Sequence, residues 1–274
     1  MFLSAVILIL QEILEATLLI SVLLVLTSIL GKLQPGAFEV ALRWVLSAIG
    51  IGLAGAWYYA WVAPEVSQWF DYVGYEVVNA LLQFTTIGFL LLFCYLLNPR
   101  VLTGAPGKFT ALARACMIVV VAIGIVREGS EILLYVEGIL GQRENFSPVM
   151  LGALMAAGIG ISSGLVLFYA LGALPQQWTF RIATLLLALF SGNMASQAVQ
   201  FLNQADWLPY TPELWDSSFF ITEFSITGQL LYALVGYDAN PSLLQVGAYL
   251  AAVVLVACSP LFRSAWFVRA VKSA

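Results

Sequence analysis

The chain has 274 residues, of which 62% are hydrophobic and only 9% charged, with a net charge of −4 and no histidine. Soluble domains carry about a quarter of charged residues, so this composition excludes an ordinary water-soluble globule and places the chain in a membrane. The absence of imidazole also excludes His-Glu-x-x-His hydrolases, histidine proton relays and imidazole-rich zinc or copper sites.

Hydropathy predicts an all-α integral membrane protein with seven transmembrane helices, near 3–30, 41–62, 76–97, 110–140, 149–171, 181–203 and 244–267. The first run begins almost at Met1, has no basic segment before it and contains Glu12 and Glu15, so no cleaved leader is expected. Breakers separate the spans at 31–36, 98–99, 104–107, 141–148 and Pro175. Span four is long enough to tilt or to extend beyond the bilayer. No polar stretch is long enough for a second domain, so 1–274 reads as one integral membrane domain, and nothing in it calls for nucleic acid. Cys94, Cys116 and Cys258 are isolated within apolar runs and read as small buried hydrophobes.

Basic residues orient the spans. Lys32, Arg43, Arg100, Lys108, Arg114, Arg181, Arg263, Arg269 and Lys272 fall on one side, with only Arg143 on the other. That side is expected to be cytoplasmic, which puts the N-terminus outside and the C-terminus inside. Most acidic loop residues, including Glu65, Asp71, Glu76, Glu213, Asp216, Glu223 and Asp238, then face outward, against Glu39 inside. Such a surface either concentrates cations or is simply solvated.

Five charges lie inside membrane-length runs, in Gln11-Glu12-Ile13-Leu14-Glu15 of span one and Arg127-Glu128-Gly129-Ser130-Glu131 of span four. A charge at the bilayer centre costs about 2.5–3.5 kcal/mol on insertion scales, so five cost roughly 10–20 kcal/mol unless compensated. The duplicated spacing implies a repeat of three helices, about 1–98 and about 109–204. Ala48-Ile49-Gly50-Ile51-Gly52 and Ala156-Ala157-Gly158-Ile159-Gly160 in spans two and five agree with it. An odd-numbered unit must be inverted in its second copy, giving a 3+3 inverted repeat plus a C-terminal helix near 244–267, with a site near mid-membrane.

Residues three apart share a helix face, so Glu12 projects with Glu15 and Glu128 with Glu131. Arg127, four residues before Glu131, is placed to orient that carboxylate. Facing pairs make an all-oxygen site suited to a hard cation, with iron(III) the extreme case and calcium, magnesium and manganese also accepting such ligands. The competing reading is a structural ion-pair cluster, to which an excess of carboxylates is poorly suited.

Glu137 lies toward the outer end of span four, off the face of the main pair, as a pathway carboxylate or an interfacial one. Asn193, Ser196, Gln197 and Gln200 form a polar stripe on span six, and Gln83, Thr85 and Thr86 add polar groups in span three. These are candidate pathway residues, or hydrogen-bonded seams between helices. The glycines of spans two and five are expected to allow close helix packing. The external segment, about 204–242, is too long for a turn and is expected to fold on or into the membrane surface as a lid or a docking site.

The complete Arg127-Glu128-Gly129-Ser130-Glu131 motif, its partner on span one, and Leu214-Trp215-Asp216-Ser217-Ser218 followed by Gly228, Gly236-Tyr237 and Pro241-Ser242-Leu243 resemble the high-affinity iron permeases, also called oxidase-dependent iron transporters. The resemblance covers nearly the whole chain. It implies a non-enzymatic, multi-pass permease of the cytoplasmic (plasma) membrane that moves iron inward, usually iron(III) supplied by an extracytoplasmic iron-binding or iron-oxidising partner. No permanently bound cofactor is implied, since iron is the cargo. Carried over, Glu12, Glu15, Glu128 and Glu131 would be the metal ligands, and Arg127 would orient the second pair. Gln11 stands where the family has arginine, so the first pair is expected to lack a counter-charge of its own. A carrier of manganese or another divalent ion, and a metal-responsive sensor or scaffold, are the alternatives.

Overall fold

The computed structural model describes residues 2–33, 41–96, 106–140, 143–222 and 225–259, and every named element within them is a helix. Apart from the four-residue turn Trp69–Tyr72, in chain order these are α1 (Phe2–Leu33), α2 (Ala41–Val66), α3 (Gly74–Leu96), α4 (Pro106–Leu140), α5 (Arg143–Ala173), α6 (Gln176–Gln204), α7 (Ile226–Val235) and α8 (Leu243–Ala257). Among the described residues five of them, α1, α2, α3, α5 and α6, are long and apolar enough to cross a membrane. Of the rest, α4 carries the charged motif within 35 residues and α8 is described for fifteen. The helices extend a few residues past several expected ends, because an apolar helix keeps its backbone bonds satisfied beyond the hydrocarbon boundary. Residues 260–267 of the expected last helix, together with Arg100, Arg263, Arg269, Lys272, Glu39 and Glu223, lie outside the described residues.

Burial sorts the helices into central and peripheral. The membrane-length stretch of α6 is 78% buried and that of α1 56%, against 22% for α5 and 33% for α2. The core is a continuous apolar cluster, with Leu14, Leu18 and Leu23 of α1 and Leu90 and Phe93 of α3 at its centre. Met117 and Val120 of α4 and Leu187 of α6 complete it. α1 packs most extensively on α5, and α2 on α4, while α3 bridges α4 and α6 and α8 lies along α6.

The α1–α5 and α2–α4 seams run parallel, as their contacts advance together along both chains. Position 160 meets Ile13 and position 164 meets Thr17, while position 52 meets Ile125 and position 129 meets Ala56. The approach is close enough for Thr17 Oγ1 to donate to the Gly160 carbonyl at 3.0 Å and Ser21 Oγ to the Gly164 carbonyl at 2.8 Å. Such contacts substitute for a hydrophobic drive, which lipid does not supply. A Cβ added at Gly160 would sit 2.5 Å from Ile13 Cγ2, beside Glu12.

The segment after α6 folds inward. Ser225 caps α7 by accepting from the Gly228 amide, and Gly236, at φ 69°, ends it in a left-handed cap. The helix rests on α1 and α6. A reciprocal Ser242–Gln245 capping box starts α8. The Asp216-Ser217-Ser218 motif staples the rest down: the Ser217 amide donates to the Ala239 carbonyl at 2.9 Å, and the Ser217 and Tyr237 hydroxyls lie 2.7 Å apart. Hydrogen bonds from the Ser218 hydroxyl and amide lower the Asp216 carboxyl below its usual range.

Gly160→Ala is expected to destabilise the fold by about 1–3 kcal/mol through overpacking, read as a lower unfolding midpoint in detergent. Gly158→Ala, whose Cβ meets nothing within 4 Å, is expected not to lower it.

Candidate cation site

Two helices supply the charged groups and three others the polar groups around them. Glu12 and Glu15 descend from one face of α1, and Arg127, Glu128 and Glu131 from α4. Glu12, Arg127 and Glu128 are buried, and Glu15 nearly so. Glu131 marks the accessible edge, with 27% of its side chain exposed.

Arg127 sits at the centre. Its Nη1 is 2.8 Å from Glu128 Oε1 and 3.8 Å from Glu15 Oε2, and its Nε is 3.6 Å from Glu131 Oε1. The guanidinium also lies over the Phe201 ring, 5.9 Å from its centroid. One guanidinium against four carboxylates leaves three negative charges to be met by protons or cations. Glu12 Oε2, Glu128 Oε2 and Arg127 Nε are buried without a hydrogen-bond partner, so the cluster holds unused donor and acceptor capacity.

Arg127 therefore spans both motifs. The first pair has no basic residue of its own beside it, and Arg127 of the second pair reaches Glu15 across the α1–α4 contact. Gln11 is half-buried on α1 and takes no part in these hydrogen bonds. Among the described residues no three carboxylate or thiol groups converge closely enough to hold a metal, because the carboxylates are arranged around the guanidinium rather than around a common point.

The polar candidates divide. Gln197 of α6 is the hub: its Oε1 accepts from Arg127 Nη1 at 2.6 Å and from Gln83 Nε2 of α3, and its Nε2 reaches Glu15 Oε2 at 3.2 Å. Asn193 is buried one turn away and donates to the Tyr232 carbonyl at 3.4 Å. Gln200 is exposed and lines an outer pocket of about 470 Å³ with Ser218, Thr222, Asp238, Asn240 and Gln245. Glu137 is exposed and stands apart from the cluster. On the opposite side of the carboxylates, Glu15 and Glu128 line a small cavity of about 20 Å³ with Asn193 and Ala233, room for roughly one water.

The sequence did not single out Tyr232, whose hydroxyl accepts from Gln197 Nε2 at 2.8 Å. Its signal was a lone phenol in the apolar ten-residue stretch between Ser225 and Gly236, where a buried hydroxyl needs a partner.

The fold and this cluster define a class: an all-helical, multi-pass membrane protein with ionisable groups collected in its interior, the arrangement of ion pathways. The chain belongs to the iron permease FTR1 family, whose family model matches residues 2–272. No characterised protein and no solved structure gives a match. The family is one of transporters, and iron is their cargo.

Arg127→Met leaves the carboxylates without their buried partner and is expected to cost about 3–5 kcal/mol, seen as loss of monodisperse protein on size-exclusion chromatography. Adding Glu128→Gln to that variant is expected to recover part of the yield. Equal yields for Arg127→Met and wild type would show that the guanidinium is not a structural counter-charge.

Proposed function

We propose that this protein carries iron, as Fe(III), inward across the plasma membrane, binding it transiently through Glu12, Glu15, Glu128 and Glu131 and releasing it by alternating access. The observation that carries this reading is the meeting of two Glu-x-x-Glu pairs, from separate helices, around one arginine with unpartnered carboxylate oxygens beside it. An anionic oxygen cluster favours a hard, highly charged ion. Fe(III) enters on the side of the polar outer pocket, passes the exposed edge at Glu131, and leaves toward the small cavity below Glu15 and Glu128. With the N-terminus outside, that exit faces the cytoplasm, and the membrane potential assists inward movement by about 2.3 kcal/mol per charge per 100 mV.

The mechanism rests on seven membrane helices, α1 to α6 and α8, in a 3+3 inverted repeat. Its support is the exchange of packing partners. Swapping α1 with α4 and α2 with α5 turns the α1–α5 seam into the α4–α2 seam, and those are the two most extensive helix contacts. Rocking one repeat against the other moves the α1 pair relative to the α4 pair and changes which carboxylates Arg127 holds. In this cycle Arg127 is the counter-charge that yields to iron, and Gln83 and Gln197 guide it. An extracytoplasmic iron-binding or iron-oxidising partner supplies the ion at the acidic outer surface, where Glu65, Asp71, Asp206 and Glu213 are exposed.

The test is uptake of radioactive iron into vesicles, supplied as Fe(III) and as Fe(II), with manganese as competitor. Wild type is expected to prefer Fe(III), and Glu12→Gln and Glu128→Gln to lose at least about 10-fold in rate while reaching the membrane normally. Wild-type rates in both variants would end the carboxylate reading. Manganese outcompeting iron would make the protein a divalent-metal carrier instead.

A further inference from the structure

Tyr232 is held at the carboxylate cluster by contacts that fix its depth. α7 is capped at both ends, and a Cβ at Gly236 would lie 2.9 Å from Asn193 Cβ, so the end of α7 is pressed against α6. Asn193 Nδ2 donates to the Tyr232 carbonyl, and the Tyr249 hydroxyl donates to the Val235 carbonyl at 2.6 Å. A ten-residue helix cannot cross a membrane; this one delivers a phenol oxygen to the interior.

That oxygen and a Glu15 carboxylate oxygen are bridged by one atom. Gln197 Nε2 lies 2.8 Å from the Tyr232 hydroxyl and 3.2 Å from Glu15 Oε2. A polarised N–H and a cation compete for the same lone pairs, so the amide stands where a positive ion would join the two oxygens. Two more carboxylate oxygens in the cluster, Glu12 Oε2 and Glu128 Oε2, are buried and unpartnered. The amide orientation is set from its other end, where Oε1 accepts from Arg127 and Gln83. When Arg127 gives way, a half-turn of the amide withdraws the N–H and presents Oε1, a neutral oxygen donor, to the same point.

We propose that Tyr232 is a direct ligand of the transported iron, adding a phenolate oxygen to the carboxylates and setting the preference for Fe(III) over divalent ions. This rests on the permease reading above. On binding, the O–H bond breaks, an O–Fe(III) bond forms, and the proton leaves to water, with no change in iron oxidation state. A trivalent ion displaces a phenol proton far more readily than a divalent one, because hard anionic oxygens favour the higher charge. Tyrosinate is an established iron ligand in proteins.

The experiment uses the full chain in lipid nanodiscs, loaded from ferric citrate, with bound iron counted and the visible absorbance recorded. Phenolate bound to Fe(III) gives a visible charge-transfer band that carboxylates do not. Wild type is expected to show the band in proportion to bound iron. Tyr232→Phe, which keeps the ring and removes only the oxygen, is expected to lose it. Its Fe(III) affinity is expected to fall about 10–100-fold, with Mn(II) binding unchanged. Tyr59→Phe and Tyr75→Phe, whose rings stack 6.2 Å apart between α2 and α3, are expected to keep the band. Iron bound by wild type without the band, or a band that survives in Tyr232→Phe, overturns the assignment and leaves the permease reading standing. Wild type that binds no iron overturns both.

Discussion

One buried guanidinium in contact with three carboxylates, drawn from two helices, is the constraint on which the rest of the molecule depends. Burying any of these charges alone would cost several kcal/mol, and burying an unmatched set costs more. Arg127 offsets part of that cost only if α1 and α4 come close enough for it to reach Glu15 as well as Glu128. Helix packing meets this demand. Small residues bring α5 against α1 and α2 against α4, and hydroxyl-to-carbonyl bonds lock the first of these seams. α6 then contributes the Gln197 amide, whose oxygen accepts from Arg127, and α3 the Gln83 amide, which donates to that same oxygen. The negative charge left over makes the interior attractive to a cation.

The same constraint decides what was legible in the sequence. Apolar length and punctuation marked α1 to α6 within a few residues at most ends, because hydropathy over a membrane-length run depends on composition alone. The Glu-x-x-Glu spacing put each carboxylate pair on one helix face for the same local reason. What crosses between helices was not legible. The i, i+4 relation of Arg127 to Glu131 is printed in the chain, and it is one of the long contacts, at 3.6 Å; the 2.8 Å contact goes to the adjacent Glu128, and the reach to Glu15 belongs to the tertiary fold. Gln197 looked like one polar residue in a stripe of four, yet its amide touches four other helices. α7 is too short to register as a span, so Tyr232 was hidden inside what read as an external segment.

The asymmetry between the two motifs takes on a different meaning in three dimensions. Gln11 gives the first half no counter-charge of its own, and Arg127 of the second half is the guanidinium that reaches both. A single shared counter-charge is a simpler device than two separate ones, since both carboxylate pairs compete for the same guanidinium. In the proposed cycle a ferric ion, with three charges and a preference for hard oxygen, is the competitor that displaces it. The polar pocket at Gln200 and the small cavity at Asn193 lie on opposite sides of this point.

The central claim is that the two carboxylate pairs form one iron site rather than two. It is tested most directly by counting iron bound per chain, by elemental analysis of purified protein after equilibration with Fe(III). The comparison is between wild type, the Glu12→Gln/Glu15→Gln double variant and the Glu128→Gln/Glu131→Gln double variant. A shared site predicts one iron per wild-type chain and essentially none in either double variant. Two irons in wild type with one retained in each double variant would contradict it, by showing that each motif binds alone.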